Sequence, residues 1–349
     1  MPTLRTELTE IVTGLGMLGM ECLDEALEAR PPRMHNVTAE HLGRLVRARR
    51  AGEHRRLFRD AWDNGRAFAA SADGLRRRVP QRVEWKGNHR SPGYEQVPAD
   101  LRVDYVYLIS CKYRSKVLYN ASPAHVFDRL LATRRGEGTD WYLEAAPSEY
   151  QEFYRACRDY LGAGSIPEAV QDLDREHRSI LKETFKRRWP PEIADAYRPF
   201  CTAVSEVSAR RWQEALGTNQ AVHEEMLWRL LRLQPVPYFI LGVASPGHPV
   251  RFRVDTPWDF RQRYTLRTFE VRPDTEAGQP AVGWRARLTD VRSATPAHVE
   301  GHVEVRWSHG RFSGAPEAKV YLDTPQGETP GYSGLRCSGR EPPSQLSLL

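Results

Sequence analysis

Apolar residues recur at helical spacing from the start of the chain. Leu8, Ile11, Leu15, Leu18 and Cys22 predict a helix over residues 4–29. Within it lies GLGMLG (14–19), formally GxGxxG. That motif marks a dinucleotide site only where it follows a strand and opens a helix. No strand has room to precede it, so that chemistry is set aside. A second helical stretch covers 37–71, opened by a cap at Asn36 or Thr38, with Leu42, Leu45, Val46, Leu57, Phe58 and Trp62 as its apolar set. Ala51-Gly52 is a natural place for it to divide. From 81 to 120 the pattern turns to strands, at 81–87, 98–103 and 106–113, with 88–96 as a loop. Residues 123–232 are helical again, broken near 162–165 and 189–191. Beyond 236 the chain is β-rich, with strands expected at 236–244, 250–254, 264–271, 282–288, 302–307 and 319–322. The Pro-, Gly- and Ser-rich tail after Thr324 reads as disordered.

This order predicts a mixed α/β (α+β) protein in five successive segments: helical 1–36, an α/β core at 37–130, helical 131–235, β-rich 236–323 and a tail at 324–349. With 349 residues the chain is long enough to bury a core without cross-links. Five cysteines at unrelated spacings argue against a disulfide framework or zinc ribbon. No apolar run approaches the ~18 residues of a membrane span. The N-terminus carries acids where a signal peptide needs bases, and a cytoplasmic location is the simplest expectation. Charge adds the first functional hint. Residues 41–90 hold fourteen Lys/Arg against five Asp/Glu, a stretch suited to phosphate contacts or, more plainly, to a solvated helical face.

The strands around Asp104-Tyr105 form a hairpin whose register decides its chemistry. A two-residue turn pairs Asp100 with Ile109. A three-residue loop, Asp104 to Val106, pairs Val103 with Tyr107 and Asp100 with Ser110, which sets those two side chains on one face. Such a loop usually wants a glycine, and none is present. Lys112 lies one pleat beyond Ser110. Glu84, on the preceding strand, is placed to join them. Two carboxylates and a lysine suit a hard cation, Mg²⁺ or Mn²⁺, and phosphodiester hydrolysis.

Pro98-Ala99-Asp100, nine residues, then Ser110-Cys111-Lys112 resembles the PD-(D/E)XK nuclease superfamily over about residues 40–130. The resemblance implies a restriction-endonuclease-like core at 37–130, Asp100 as a metal ligand and Lys112 as the catalytic lysine. Ser110 stands where the second acid belongs, and Glu84 is the candidate replacement for both catalysis and metal binding. Arg76, Arg77 and Arg78, with Ser115 and Asn120, are candidate nucleic-acid contacts; Ser115 and Asn120 are equally suited to capping the next helix. Asp104 is a competing ligand, though on a continuous strand it lies about 20 Å from Ser110 at ~3.3 Å per residue. Asp73 with Glu84-Trp85-Lys86 is a second choice. The plain alternative makes Asp100 and Asp104 turn residues and Lys112 a surface lysine.

Elsewhere, His298, Glu300, His302, Glu304, Arg306 and Ser308 alternate with Val299, Val303, Val305 and Trp307. This predicts a solvated strand face more readily than a metal site. Trp258, Phe260, Trp284 and Trp307 are expected in a β core, and His125 in the first turn of a helix. Signatures of serine hydrolases, P-loop NTPases and zincins are missing. The leading expectation is a Mg²⁺-dependent DNA endonuclease of restriction or genome-defence type, acting as a homodimer or with partner proteins of a defence system. Its rivals are an inactive nuclease-fold subunit for nucleic-acid binding or assembly, and a nuclease acting on RNA.

Overall fold

The structure, a computed structural model, describes residues 3–87, 99–113, 117–132, 139–162, 164, 166–245 and 247–336. The chain is α+β and divides into two compact units that alternate along the sequence. One comprises 1–115, 233–260 and 326–349, the other 116–232 and 261–325. These units cut across the linear segments expected from the sequence.

The chain opens with α1 (Leu4–Leu15), α2 (Leu23–Ala29), the short β1 (Met34–His35), α3 (Ala39–Arg50) and α4 (Arg55–Ala70). Thr38 caps α3 in a reciprocal capping box with His41. The first helix is shorter than the expected 4–29, because its glycines do a different job. A Cβ on Gly65 of α4 would stand 2.1 Å from the Thr13 carbonyl oxygen, and one on Gly16 would stand 2.6 Å from that of Trp62. The GLGMLG segment is therefore a crossing point where α1 and α4 touch backbone to backbone. Strands β2 (Val83–Trp85), β3 (Leu101–Val103) and β4 (Tyr107–Tyr113) follow.

The chain then enters the second unit with β5 (Val117–Ala121), which the sequence pattern did not reveal, and passes through α5 (Pro123–Phe127), α6 (Trp141–Ala145), α7 (Pro147–Leu161), α8 (Arg175–Thr184), α9 (Pro191–Leu216) and α10 (Gln220–Leu230). It returns to the first unit for β6 (Tyr238–Ser245) and β7 (His248–Val254), and turns through α11 (Pro257–Arg263). It completes the second unit with β8 (Tyr264–Asp274), β9 (Ala281–Asp290), β10 (Thr295–Arg306) and β11 (Glu317–Leu322), then ends in the first with β12 (Tyr332–Gly334).

The first unit holds a seven-stranded sheet ordered β1-β2-β3-β4-β6-β7-β12. β2, β3 and β4 form an antiparallel meander, and β6 lies parallel to β4. Strands β6 and β7, expected in a C-terminal β domain, belong here. The unbroken apolar run of β6, buried from Tyr238 to Val243, is that of a central strand covered on both faces. Leu8, Ile11, Val12 and Leu15 of α1 share a core with Phe58 and Phe68 of α4 and with Val83, Trp85, Leu101, Val103, Ile109 and Leu241 of the sheet.

In the second unit β5, β11, β10, β9 and β8 form an antiparallel sheet. Val299, Val303 and Val305 are buried, while His298, Glu300, His302, Glu304 and Arg306 alternate with them on the outer face, as the pattern predicted. The buried side carries a dense aromatic core, in which Phe153 stacks at 5.3 Å on Phe200 and at 5.6 Å on Phe312. Phe260 and Trp284 are buried, but Trp258 is 71% exposed, against expectation: it sits at the start of α11 facing solvent. The expected disorder after Thr324 does not hold as far as Arg336, because Tyr332 pairs with Val254 and Arg336 binds Asp73. Residues 337–349 lie outside the described residues.

Candidate active site

The β3–β4 hairpin adopts the three-residue alternative. Asp104 and Tyr105 both take left-handed backbone, φ 48° and 61°, and the Val106 N–H donates to the Val103 carbonyl at 3.1 Å. Asp is among the few residues that tolerate this conformation. Here its carboxylate also accepts the backbone N–H groups of Gln81 (2.8 Å) and Arg82 (2.9 Å), tying the turn to the approach of β2. Those contacts replace the missing glycine and make Asp104 an anchor of the turn.

Register follows from this turn. Val103 faces Tyr107 and Leu101 faces Ile109. Beyond the last ladder pair the register slips, and the Asp100 N–H donates to the Ile109 carbonyl at 2.7 Å, so that Asp100 meets Ile109 as Leu101 does, not Ser110 as the regular register would have it. One carboxylate oxygen of Asp100 accepts the Cys111 backbone N–H at 2.6 Å and the Ser110 hydroxyl at 3.4 Å. On the other side the Lys86 N–H donates to the Asp100 carbonyl at 2.9 Å. Lys86 and Asp100 thus stand side by side at the ends of β2 and β3, and the Asp100 carboxylate reaches β4 at Ser110 and Cys111, just before Lys112.

A second acid, Glu10 of α1, is brought to these residues. Its carboxylate accepts the Trp85 indole N–H at 2.6 Å. Burial and the nearby Asp100 charge push the Glu10 carboxyl up to about 8, against the opposing pull of the Trp85 hydrogen bond and of the Lys112 and Lys86 charges. Glu10, Asp100, Lys112 and Lys86 therefore form one electrostatic cluster. Sequence reasoning missed Glu10, because α1 meets the site only through the packing of the sheet.

Glu84 does not take the role expected of it. It lies opposite Arg102, one pleat from Lys86, and its carboxylate binds Arg82 at 2.9 Å and Arg102 at 2.5 Å. Burial works to raise its carboxyl, yet the two guanidinium groups hold it below the ordinary value. A carboxylate engaged by two arginines has little left to offer a cation. In the second-choice set, Asp73 accepts the backbone N–H and guanidinium of Arg336, each at 2.9 Å. Asp73, Glu84 and Lys86 are engaged in separate sets of contacts.

Arg76, Arg77 and Arg78 lie exposed on the turn after α4, the first two with left-handed backbone. Asn120 is exposed on β5, opposite Lys319 in the second unit; it does not cap α5, whose N-cap is Ser122. His125 is in the first turn of that helix and is buried. Ser115 and Pro98 lie outside the described residues.

Behind Lys112, a buried polar network fixes the strands. Asn64 donates to the Gly242 carbonyl at 2.9 Å and to the Tyr113 hydroxyl at 3.1 Å, and accepts from Arg251 at 2.8 Å. The Tyr113 hydroxyl also meets Thr13 of α1 at 2.8 Å. Gly242 stands opposite Lys112, where a Cβ would come within 1.7 Å of the Lys112 carbonyl oxygen. The backbone of the lysine is thus held close against β6.

Among the described residues no three His, Cys, Asp or Glu side chains gather as a ready-made metal cage. Nor is any helix among them long and apolar enough to cross a membrane. The cluster offers two carboxylates and two ammonium groups at the end of a sheet. Comparison of the chain with known protein families, with characterised proteins and with solved structures finds no match.

Proposed function

We propose that the first unit is a metal-dependent nuclease of the PD-(D/E)XK type, hydrolysing phosphodiester bonds in DNA. The observation that carries this reading is the Asp100 carboxylate, which accepts from Ser110 and Cys111 of β4 just before Lys112, together with Glu10 of α1, which Trp85 of β2 holds beside Lys86.

The donor set fits Mg²⁺ or Mn²⁺. Mg²⁺ is commonly held by one or two carboxylates, with waters and substrate phosphates completing its shell. Glu10 and Asp100 supply two hard oxygen donors, and a divalent cation would take the place of the proton that Glu10 otherwise holds at neutral pH. When bound, such an ion polarises a phosphoryl oxygen and lowers the pKa of a coordinated water. The chain's own groups do the rest. Ser110 and the Cys111 N–H orient the Asp100 carboxylate. Lys112 orients the attacking water, and Lys86 gives the cluster a second cation for the substrate's phosphate. Ser110 in the acid position would favour an inactive binding subunit if no other carboxylate replaced it. Glu10 supports the active reading instead.

The test is incubation of the protein with Mg²⁺ or Mn²⁺ and a panel of plasmid, phage and modified DNAs, beside Lys112→Ala and with RNA as competitor. Cleavage that needs metal and falls at least a hundredfold in Lys112→Ala is expected. Cleavage that survives the substitution would move the chemistry away from this hairpin. DNA binding without cleavage on any substrate would favour the inactive subunit.

A further inference from the structure

The outer face of the five-stranded sheet carries cations that the fold leaves uncompensated. Near its β8–β9–β10 end Glu270 is taken by Arg272 at 2.9 Å and Glu300 by Arg285 at 2.6 Å, while Asp290, buried at the end of β9, is taken by Arg263 at 2.9 Å. Arg267, Arg287 and Arg292 are left, and within the described residues none of their guanidinium groups meets a carboxylate; His298 stands beside them. They are neighbours by register. Arg287 lies directly between Thr268 of β8 and His298 of β10. The Arg267 guanidinium donates to the Thr289 hydroxyl at 2.9 Å, one pleat along β9 on the same face. Arg292 follows in the turn between β9 and β10. All four are exposed, and Arg287 and His298 border an open depression of about 440 Å³.

Exposed guanidinium groups that no carboxylate answers leave a positive face, and the natural partner of such a face is an external anion. We propose that this face binds the phosphate backbone of the nucleic-acid strand on which the protein acts; the identity of the polyanion rests on the nuclease reading above. The chemistry favours nucleic acid over an acidic protein. Arginine guanidinium groups and the hydroxyls of Thr265, Thr268 and Thr289 are backbone-phosphate donors. Among the described residues no aromatic side chain stands between these arginines as the anchor that a protein interface places at its centre.

The experiment measures binding of a fluorescent DNA duplex by anisotropy, in EDTA, from 50 to 300 mM salt. The intact protein is compared with the triple variant Arg267→Ala/Arg287→Ala/Arg292→Ala and with Arg155→Ala, an exposed arginine of α7. Each lost phosphate contact lowers the salt slope by about 0.9, so the triple variant should lose about 2–3 and bind roughly tenfold or more weakly, while Arg155→Ala stays unchanged. Lysines at the three positions should restore the slope. An unaltered slope in the triple variant of a protein that cleaves DNA would overturn this surface and leave the nuclease reading intact. A reduced slope in a protein that never cleaves would uphold the surface and overturn the nuclease. Polyglutamate competing as strongly as DNA of equal charge would assign the face to an acidic protein and overturn the proposal.

Discussion

Replacing Glu10 by glutamine should make the metal-free protein more stable while removing the activity proposed for it. Glutamine keeps an oxygen for the Trp85 indole N–H but carries no ionisable proton. In the native protein Glu10 holds its proton to about pH 8, whereas in the unfolded chain it releases it near its ordinary value of 4.5. Because the folded state binds this proton more tightly, the stabilisation is complete below pH 4.5 and is lost as pH rises toward 8. At about 1.4 kcal/mol for each tenfold difference in affinity, the parent gives up roughly 3 kcal/mol by pH 7 and about 5 above pH 8. Glu10→Gln escapes that loss. Denaturant unfolding in EDTA, repeated from pH 4.5 to 9, should show two curves that meet at the acid end. They should diverge until the variant leads by about 3 kcal/mol at neutral pH. Mg²⁺ should raise the midpoint of the parent and leave that of the variant unmoved. Parallel pH profiles, or a variant less stable than the parent at pH 7, would refute the argument that burial and Asp100 keep Glu10 neutral. The expected result is a stability cost borne for function.

Two further outcomes follow from the backbone. Gly65→Ala places a methyl group 2.1 Å from the Thr13 carbonyl oxygen, so α1 and α4 must separate; unfolding should show a loss of about 2–4 kcal/mol, with weaker metal binding because Glu10 rides on α1. Asp104→Ala removes both anchoring hydrogen bonds and leaves a β-carbon in left-handed backbone, at a cost of about 2–3 kcal/mol. Asp104→Gly should recover the conformational part only, as urea midpoints would show.

What the sequence made legible was local. The division of α3 from α4 near Ala51-Gly52, the alternation along β10 and the positions of β2, β3 and β4 all follow from side-chain periodicity within a few residues. The hairpin register was one of two that the sequence left open. Asp104 decided it through its backbone contacts with Gln81 and Arg82, which are made across a different strand. Glu10 was invisible for a similar reason: its partner Trp85 is 75 residues away, and nothing in the spacing of α1 sets this acid apart from Glu7. β5 was missed because its partner β11 lies some 200 residues later. Strands β6 and β7 were placed in the wrong half of the protein because an apolar run announces a buried strand without saying which sheet it enters. The tail past Thr324 looked formless until Tyr332 found Val254.

The alternation of the two units along the chain has a consequence during synthesis. β4, which carries Lys112, leaves the ribosome well before β6, its parallel neighbour, and 124 residues separate the two strands. At roughly 5–20 residues per second, the edge of β4 waits about 6–25 s for its partner. Until then the meander of β2, β3 and β4 presents unpaired N–H and C=O groups to any passing strand. The nascent protein is thus most exposed to mispairing while its intervening helices are being made. Slowing translation within residues 117–237 should lower the yield of native protein more than an equal pause after residue 254.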